Sequence, residues 1–177
     1  MFSIRARRGL AILTTLLMAV MITPEKVVHA QEQLEIGRST GLPVPRFVSL
    51  KRDKVNVRFG PGKQYPINWV FTQRGIPVEI IAEFDNWRKI RDYEGTEGWI
   101  NAGLLNSRRT IMVQGTVRDL KRTASTTARV MLRAEPGVLG ELFYCRDSWC
   151  HVEIEERRGW LQRGEFWGTL PDEVVPQ

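Results

Sequence analysis

The sequence predicts an all-β protein built from two small barrels in tandem. Three observations carry that expectation. The chain repeats itself at a spacing of about 62 residues. Each repeat consists of short alternating or β-branched stretches broken by Gly, Pro, Asp and Asn. No amphipathic helical pattern follows the first thirty residues.

The chain opens with Arg5, Arg7 and Arg8, then an apolar run from Leu10 to Ile22, then polar residues ending in Ala30. Charge, grease and a small residue in that order mark a secretory signal peptide over residues 1–30. The run is shorter than the roughly 20 residues a bilayer span needs. Cleavage would leave Gln31–Gln177 without a membrane span, in the periplasm or secreted; retention as an anchor is the other reading. An exported chain can oxidise its cysteines. Removing residues 1–30 leaves 22 basic and 19 acidic side chains. So near-balanced and exported a protein is not expected to bind nucleic acid.

Residues 31–44, "QEQLEIGRSTGLPV", are polar with Gly and Pro and read as a linker. The first unit is expected over 45–107 and the second over 108–168, with 169–177 as a tail. "RFVSLKRDKVNVR" aligns with "RTIMVQGTVRDLK", pairing Val57 with Leu120 and Arg58 with Lys121. Gly75, Asp85, Trp87 and Ile90 then match Gly137, Asp147, Trp149 and Val152 without a gap. "GWINAGLL" from Gly98 matches "GWLQRGEF" from Gly159. In unit one, "KVNVRF" alternates until "GPG" breaks it, "VEIIAEF" and "WRKIRDY" flank Asp85-Asn86, and "EGWI" follows a turn. Five or six short strands in about 60 residues suit a small barrel, which is marginal alone.

The repeat explains "CRDSWCHV". Asp85-Asn86 reads as a hairpin turn, and Asp147-Ser148 is its equivalent. A two-residue loop sets Arg146 opposite Trp149 and Cys145 opposite Cys150. That makes the cysteines a non-hydrogen-bonded pair with Cα atoms about 4.5 Å apart, within disulfide range. A zinc site would need a fourth ligand beyond Cys145, Cys150 and His151. A redox site would need Cys-x-x-Cys. Unit one carries Glu83 and Arg88 at the cysteine positions, where they can pair as ions.

The order Asn-x-Arg, Gly, Trp-x-x-Ile, Gly-Trp resembles the bacterial Src-homology-3-like (SH3-like) family, in its tandem, signal-peptide-bearing envelope type. Asn56, Arg58, Gly60, Gly62, Gly75, Trp87, Ile90, Gly98, Trp99 and Ile100 carry the likeness in unit one. Gly137, Trp149, Val152, Gly159, Trp160 and Leu161 carry it in unit two. The resemblance implies five-stranded barrels and a binding module associated with cell-wall peptidoglycan or peptides. The eukaryotic relatives' Pro and Tyr for proline-rich ligands are replaced by Asn101 and Leu104, then by Gln162 and Glu165. Recognition of that kind is therefore not expected. Unit two has Asp119 and Lys121 in place of Asn-x-Arg, so its groove is expected to be degenerate.

Charge is uneven along each unit. Seven basic residues and one acid fall between Arg46 and Arg74, and again between Arg108 and Arg133, while the later halves are acidic. Either the basic halves form an anion-binding face or the halves neutralise each other within a barrel. Aromatic rings stack on sugars and pack peptide side chains, and arginine clamps a carboxylate with two hydrogen bonds. The ligand-binding residues expected are Asn56, Arg58, Tyr65, Trp69, Trp87 and Trp99. Tyr65 and Trp69 follow "GPGKQ", in an expected loop. Half-buried packing is the competing role for Trp99 and Trp160.

Catalysis has little support. His151 is the only histidine after residue 30, and "GxSxG", "HExxH" and P-loop motifs are absent. No cofactor or metal is implied. The expected function is a non-catalytic exported module recognising peptidoglycan or its stem peptides. A scaffold binding another envelope protein is the alternative.

Overall fold

The computed structural model describes residues 35–176. The span expected to be a signal peptide, residues 1–30, lies outside the described residues. Among those residues no helix is long and apolar enough to cross a membrane.

Strands β1 (Glu35–Ile36) and β2 (Pro43–Val44) form a small ribbon. The first barrel follows as β3 (Arg46–Leu50), β4 (Val55–Arg58), β5 (Ile67–Phe71), β6 (Pro77–Phe84), β7 (Trp87–Arg91), β8 (Glu97–Asn101) and β9 (Leu105–Asn106). The second repeats it as β10 (Thr110–Val113), β11 (Arg118–Lys121), β12 (Val130–Ala134), β13 (Leu139–Arg146), β14 (Trp149–Ile154), β15 (Arg157–Gln162) and β16 (Phe166–Trp167). Sheet orders are β5-β4-β8-β7-β6-β3-β9 and β12-β11-β15-β14-β13-β10-β16, so the duplication holds strand for strand. Each sheet has more than five strands because the connection from β3 to β6, or from β10 to β13, folds into a hairpin of its own.

Period-two alternation builds both cores. Val55 and Val57 point inward from β4, Ile90 from β7 and Ile100 from β8, all fully buried. Leu120, Val152 and Leu161 do the same in the second barrel. Gly98 and Gly159 permit the closest approach. A Cβ on Gly159 would lie 2.7 Å from the Lys121 carbonyl, and one on Gly98 would lie 2.5 Å from Val57. The Gly-Trp repeat therefore marks where two strands cross too tightly for a side chain.

The two β-hairpins run in the expected register. Glu83 faces Arg88 and Phe84 faces Trp87; Cys145 faces Cys150 and Arg146 faces Trp149. The turns place Asp85 and Asp147 in the left-handed region, at φ 46° and 53°, which aspartate tolerates better than most residues. Cys145 and Cys150 are disulfide-bonded with Cα atoms 4.0 Å apart. Glu83 and Arg88 form an ion pair at 3.5 Å.

The flanking segments pack on these hairpins. Within the span read as a linker, Ser39 N and Thr40 N donate to Glu83 Oε2, both at 3.0 Å, and Thr40 Oγ1 donates to Oε1 at 2.7 Å. Arg46 completes the cage at 2.7 Å. In the segment read as a tail, Glu173 pairs with Arg109, and Arg163 donates to the carbonyls of Leu170 and Glu173. Val175 enters the second core, and its carbonyl accepts from Cys145 N at 3.1 Å.

Both barrels belong to one compact unit. Met112 and Leu139 of the second barrel pack into the first core. Trp167 meets Phe47 edge-on at 4.8 Å, and its Nε1 donates to the Pro77 carbonyl. Thr110 Oγ1 donates to the Gly75 carbonyl at 2.7 Å.

Candidate functional site

Alternation that buries Val55 and Val57 turns Asn56 and Arg58 outward. On β8 it turns Trp99 and Asn101 outward, and on β7 Trp87 and Lys89. The register sets Arg58 opposite Trp99, Trp99 opposite Lys89, and Trp87 opposite Asn101. Five expected site residues thus share one neighbourhood: Asn56, Arg58, Trp87 and Trp99 on one outer face, and Tyr65 on the loop leaving it. Arg58 Nη1 donates to the Tyr65 carbonyl at 2.7 Å, bracing that loop. The Tyr65 ring lies against Gly60, where a Cβ would meet it at 2.5 Å.

Trp69 does not join them. It sits in strand β5 rather than in a loop, facing Val57 and packing on the first core. Its Nε1 is buried without a hydrogen-bond partner among the described residues. "INWVF" shows little alternation, so its inward side was not evident from sequence.

The charges on this face are partly neutralised. Lys89 pairs with Glu97 at 2.6 Å, and Arg91 bridges Glu97 and Glu79. Hydrogen bonds from Lys89 and Arg91 lower the Glu97 pKa against opposing burial. Of the basic block from Arg46 to Arg74, Arg46 pairs with Glu83, whereas Lys51, Arg52, Lys54, Arg58, Lys63 and Arg74 form no salt bridge among the described residues. In the second block, Arg108, Arg109, Lys121 and Arg133 all pair with carboxylates. Neutralisation within the molecule dominates the second block, and free cations dominate the first.

The second barrel carries the same row with different chemistry. Lys121 faces Trp160, Trp160 faces His151, and His151 faces Tyr144. The ring centroids of His151 lie 5.1 Å from Trp160 and 5.2 Å from Tyr144. Phe143 joins at 5.8 Å, with the Arg158 guanidinium above it at 4.6 Å. Burial first, and the Arg158 charge second, lower the His151 pKa. Sequence reasoning missed this cluster. The signal was present: Cys150 and Val152 point inward, so His151 points outward beside Trp160.

Among the described residues, no group of three or more His, Cys, Asp and Glu is placed to hold a metal, and both cysteines are bonded.

Two strand-for-strand equivalent SH3-like barrels, each with a basic residue beside a tryptophan on the same outer face, define a tandem module. A family model described as bacterial SH3 domain matches residues 51–106 and 119–168, over half the chain. The chain belongs to that family. No curated protein matches it. Among solved structures, NlpC1 from Trichomonas vaginalis is similar at 10% identity and TM-score 0.34, covering 76% of this chain and 49% of that one. NlpC2 from the same organism is similar at 10% identity and TM-score 0.33, covering 71% and 48%. This chain spans about half the length of either.

Proposed function

We propose that the protein is an exported, non-catalytic binding module of the cell envelope, and that the outer face of its first barrel recognises peptidoglycan or its stem peptides. One observation carries the reading: Arg58, free of any salt bridge among the described residues, stands beside Trp99 and the Trp87–Asn101 pair. A guanidinium clamps the carboxylates of peptide stems. The flat indoles offer stacking area to sugar rings. Tyr65 and Asn56 flank that patch. The disulfide and the charged-then-apolar N-terminus support export to an oxidising, periplasmic or extracellular compartment.

Co-sedimentation with isolated sacculi at low and physiological salt tests this. The protein is expected to pellet at both salts. Arg58→Ala combined with Trp87→Ala is expected to reduce pelleting at least tenfold while both barrels stay folded by far-ultraviolet dichroism. Loss of pelleting at physiological salt would reduce the interaction to screened charge attraction and overturn the reading.

A further inference from the structure

The repeat places two arginines alike and partners them differently. Arg46 and Arg109 head the aligned stretches "RFVSL" and "RTIMV". Arg46 stands opposite Ile80, and the Arg109 carbonyl accepts from the amide of Leu142, the residue that matches Ile80. Arg46 takes its carboxylate from its own barrel, pairing with Glu83 at 2.7 Å. The residue matching Glu83 is Cys145, which is bonded to Cys150, so the second barrel has no carboxylate there. Among the described residues, the one carboxylate paired with Arg109 is Glu173, from the segment that follows the barrel.

That segment lies on the second barrel as a bound peptide would. Two of its side chains are read: Glu173 by both terminal nitrogens of Arg109, and Val175 by the core it enters. Val174, between them, is 85% exposed. The backbone is gripped without regard to side chains. Arg163 donates to the carbonyls of Leu170 and Glu173, at 3.2 and 2.7 Å, and Cys145 N donates to the Val175 carbonyl at 3.1 Å. The fit is incomplete. Arg109 Nε is buried without a hydrogen-bond partner among the described residues, which costs stability. A space of about 480 Å³, lined by Asp147, Ser148, Arg163, Thr169, Pro171 and Asp172, lies between the segment and the hairpin turn.

We propose that this groove is a docking site for an extended acidic peptide of another protein, one with a carboxylate two positions before an apolar side chain, and that residues 170–175 hold it in cis until displaced. Charge sets the ligand's polarity. The barrel residues that bond the segment or line the space beside it include two cations, Arg109 and Arg163, and one acid, Asp147. The chain's own segment shows the pattern that fits, in Glu173 and Val175. A partner segment that also offers an acceptor to Arg109 Nε, or fills the space under the hairpin, binds better than the resident one. Tethering gives the resident segment an effective concentration on the order of millimolar, so entry needs that better fit. The groove is separate from the Arg58–Trp99 face and stands whether or not that face binds the wall.

The test opens the groove in the full chain with Glu173→Gln and Val175→Ser, then adds the acetylated and amidated peptide Leu-Pro-Asp-Glu-Val-Val-Pro-Gln. The opened variant, checked for folding by far-ultraviolet dichroism, is expected to bind this peptide at least tenfold more tightly than wild type does, because the resident segment no longer competes. Replacing the peptide's glutamate with glutamine should weaken binding about tenfold, and Arg109→Gln in the opened variant should remove that difference. Hydrogen exchange of the wild type decides the matter if the variant does not fold. The Cys145 amide should exchange at least tenfold faster than those of Val152 and Leu161, as it does when the segment lifts from a folded barrel. No binding by the folded opened variant, equal binding by wild type, equal binding of the two peptides, or exchange of Cys145 at the core rate would overturn the proposal. A wild-type dimer that Glu173→Gln dissociates would assign the groove to a second copy's segment and overturn the partner. Sacculus pelleting by Glu173→Gln should equal wild type, so the groove and the first barrel's face fail or stand separately.

Discussion

Glu83 shows how one side chain ties a flanking segment to a barrel. Its side chain is fully covered, and burial alone would disfavour the charge. Hydrogen bonds from Thr40, Arg46 and the amides of Ser39 and Thr40 outweigh that and lower its pKa to about 2. Unfolded, the carboxyl titrates near the ordinary value of about 4.3, so the unfolded chain takes a proton more readily than the folded one. The contribution is complete above that value and is lost as the pH falls toward 2. Chemical denaturation at a series of pH values should show stability dropping over this window, and Glu83→Gln should flatten the drop. An unchanged slope in the variant would mean that other carboxylates carry it. The substitution should also speed exchange of the Ser39 and Thr40 amides before any in the core. None of this was legible in "QEQLEIGRSTGLPV", because the anchor lies more than forty positions downstream. The outward turn of Arg58 and Trp99 was legible, because alternation and the buried Val57 and Ile100 fix it locally.

At the scale of the element, the two hairpins solve one problem with different bonds. Register and turn were readable from the self-alignment, since Asp85 and Asp147 occupy matching left-handed positions. The Glu83–Arg88 pair and the Cys145–Cys150 bond occupy matching rungs. The disulfide closes only a short loop, so its loss should cost about 2 kcal/mol. Replacing both cysteines with alanine should lower the unfolding free energy by that amount and leave the first barrel's exchange pattern unchanged. A loss several times larger would show that the bond also holds the tail, whose Val175 carbonyl accepts from Cys145 N. The aromatic row of the second barrel was harder to read. His151 replaces Lys89 in the alignment, which hides the role of both as neighbours of a tryptophan. Only the strand register joins Tyr144, His151 and Trp160, and register comes from pairing across the sheet rather than from the residues of one strand.

For the molecule as a whole, the decisive contacts run between the barrels. A unit of about sixty residues buries a smaller share of its surface than a larger domain does and is marginal by itself. Here Met112 and Leu139 complete the first core from the second barrel, while Trp167 packs on Phe47 and donates to Pro77. The intact protein should therefore unfold in a single transition. Trp167→Ala removes the ring and the hydrogen bond together, at a cost of about 3 kcal/mol. Denaturation followed separately by near-ultraviolet dichroism of the aromatic cluster in the second barrel and by exchange at β4–β8 of the first should then split into two midpoints. Coincident midpoints in the variant would show that the remaining contacts, Thr110 to Gly75 among them, suffice for coupling. The same substitution leaves the outer face of the first barrel in place. The Arg58–Trp99 face lies wholly on the first barrel and should keep its sacculus binding.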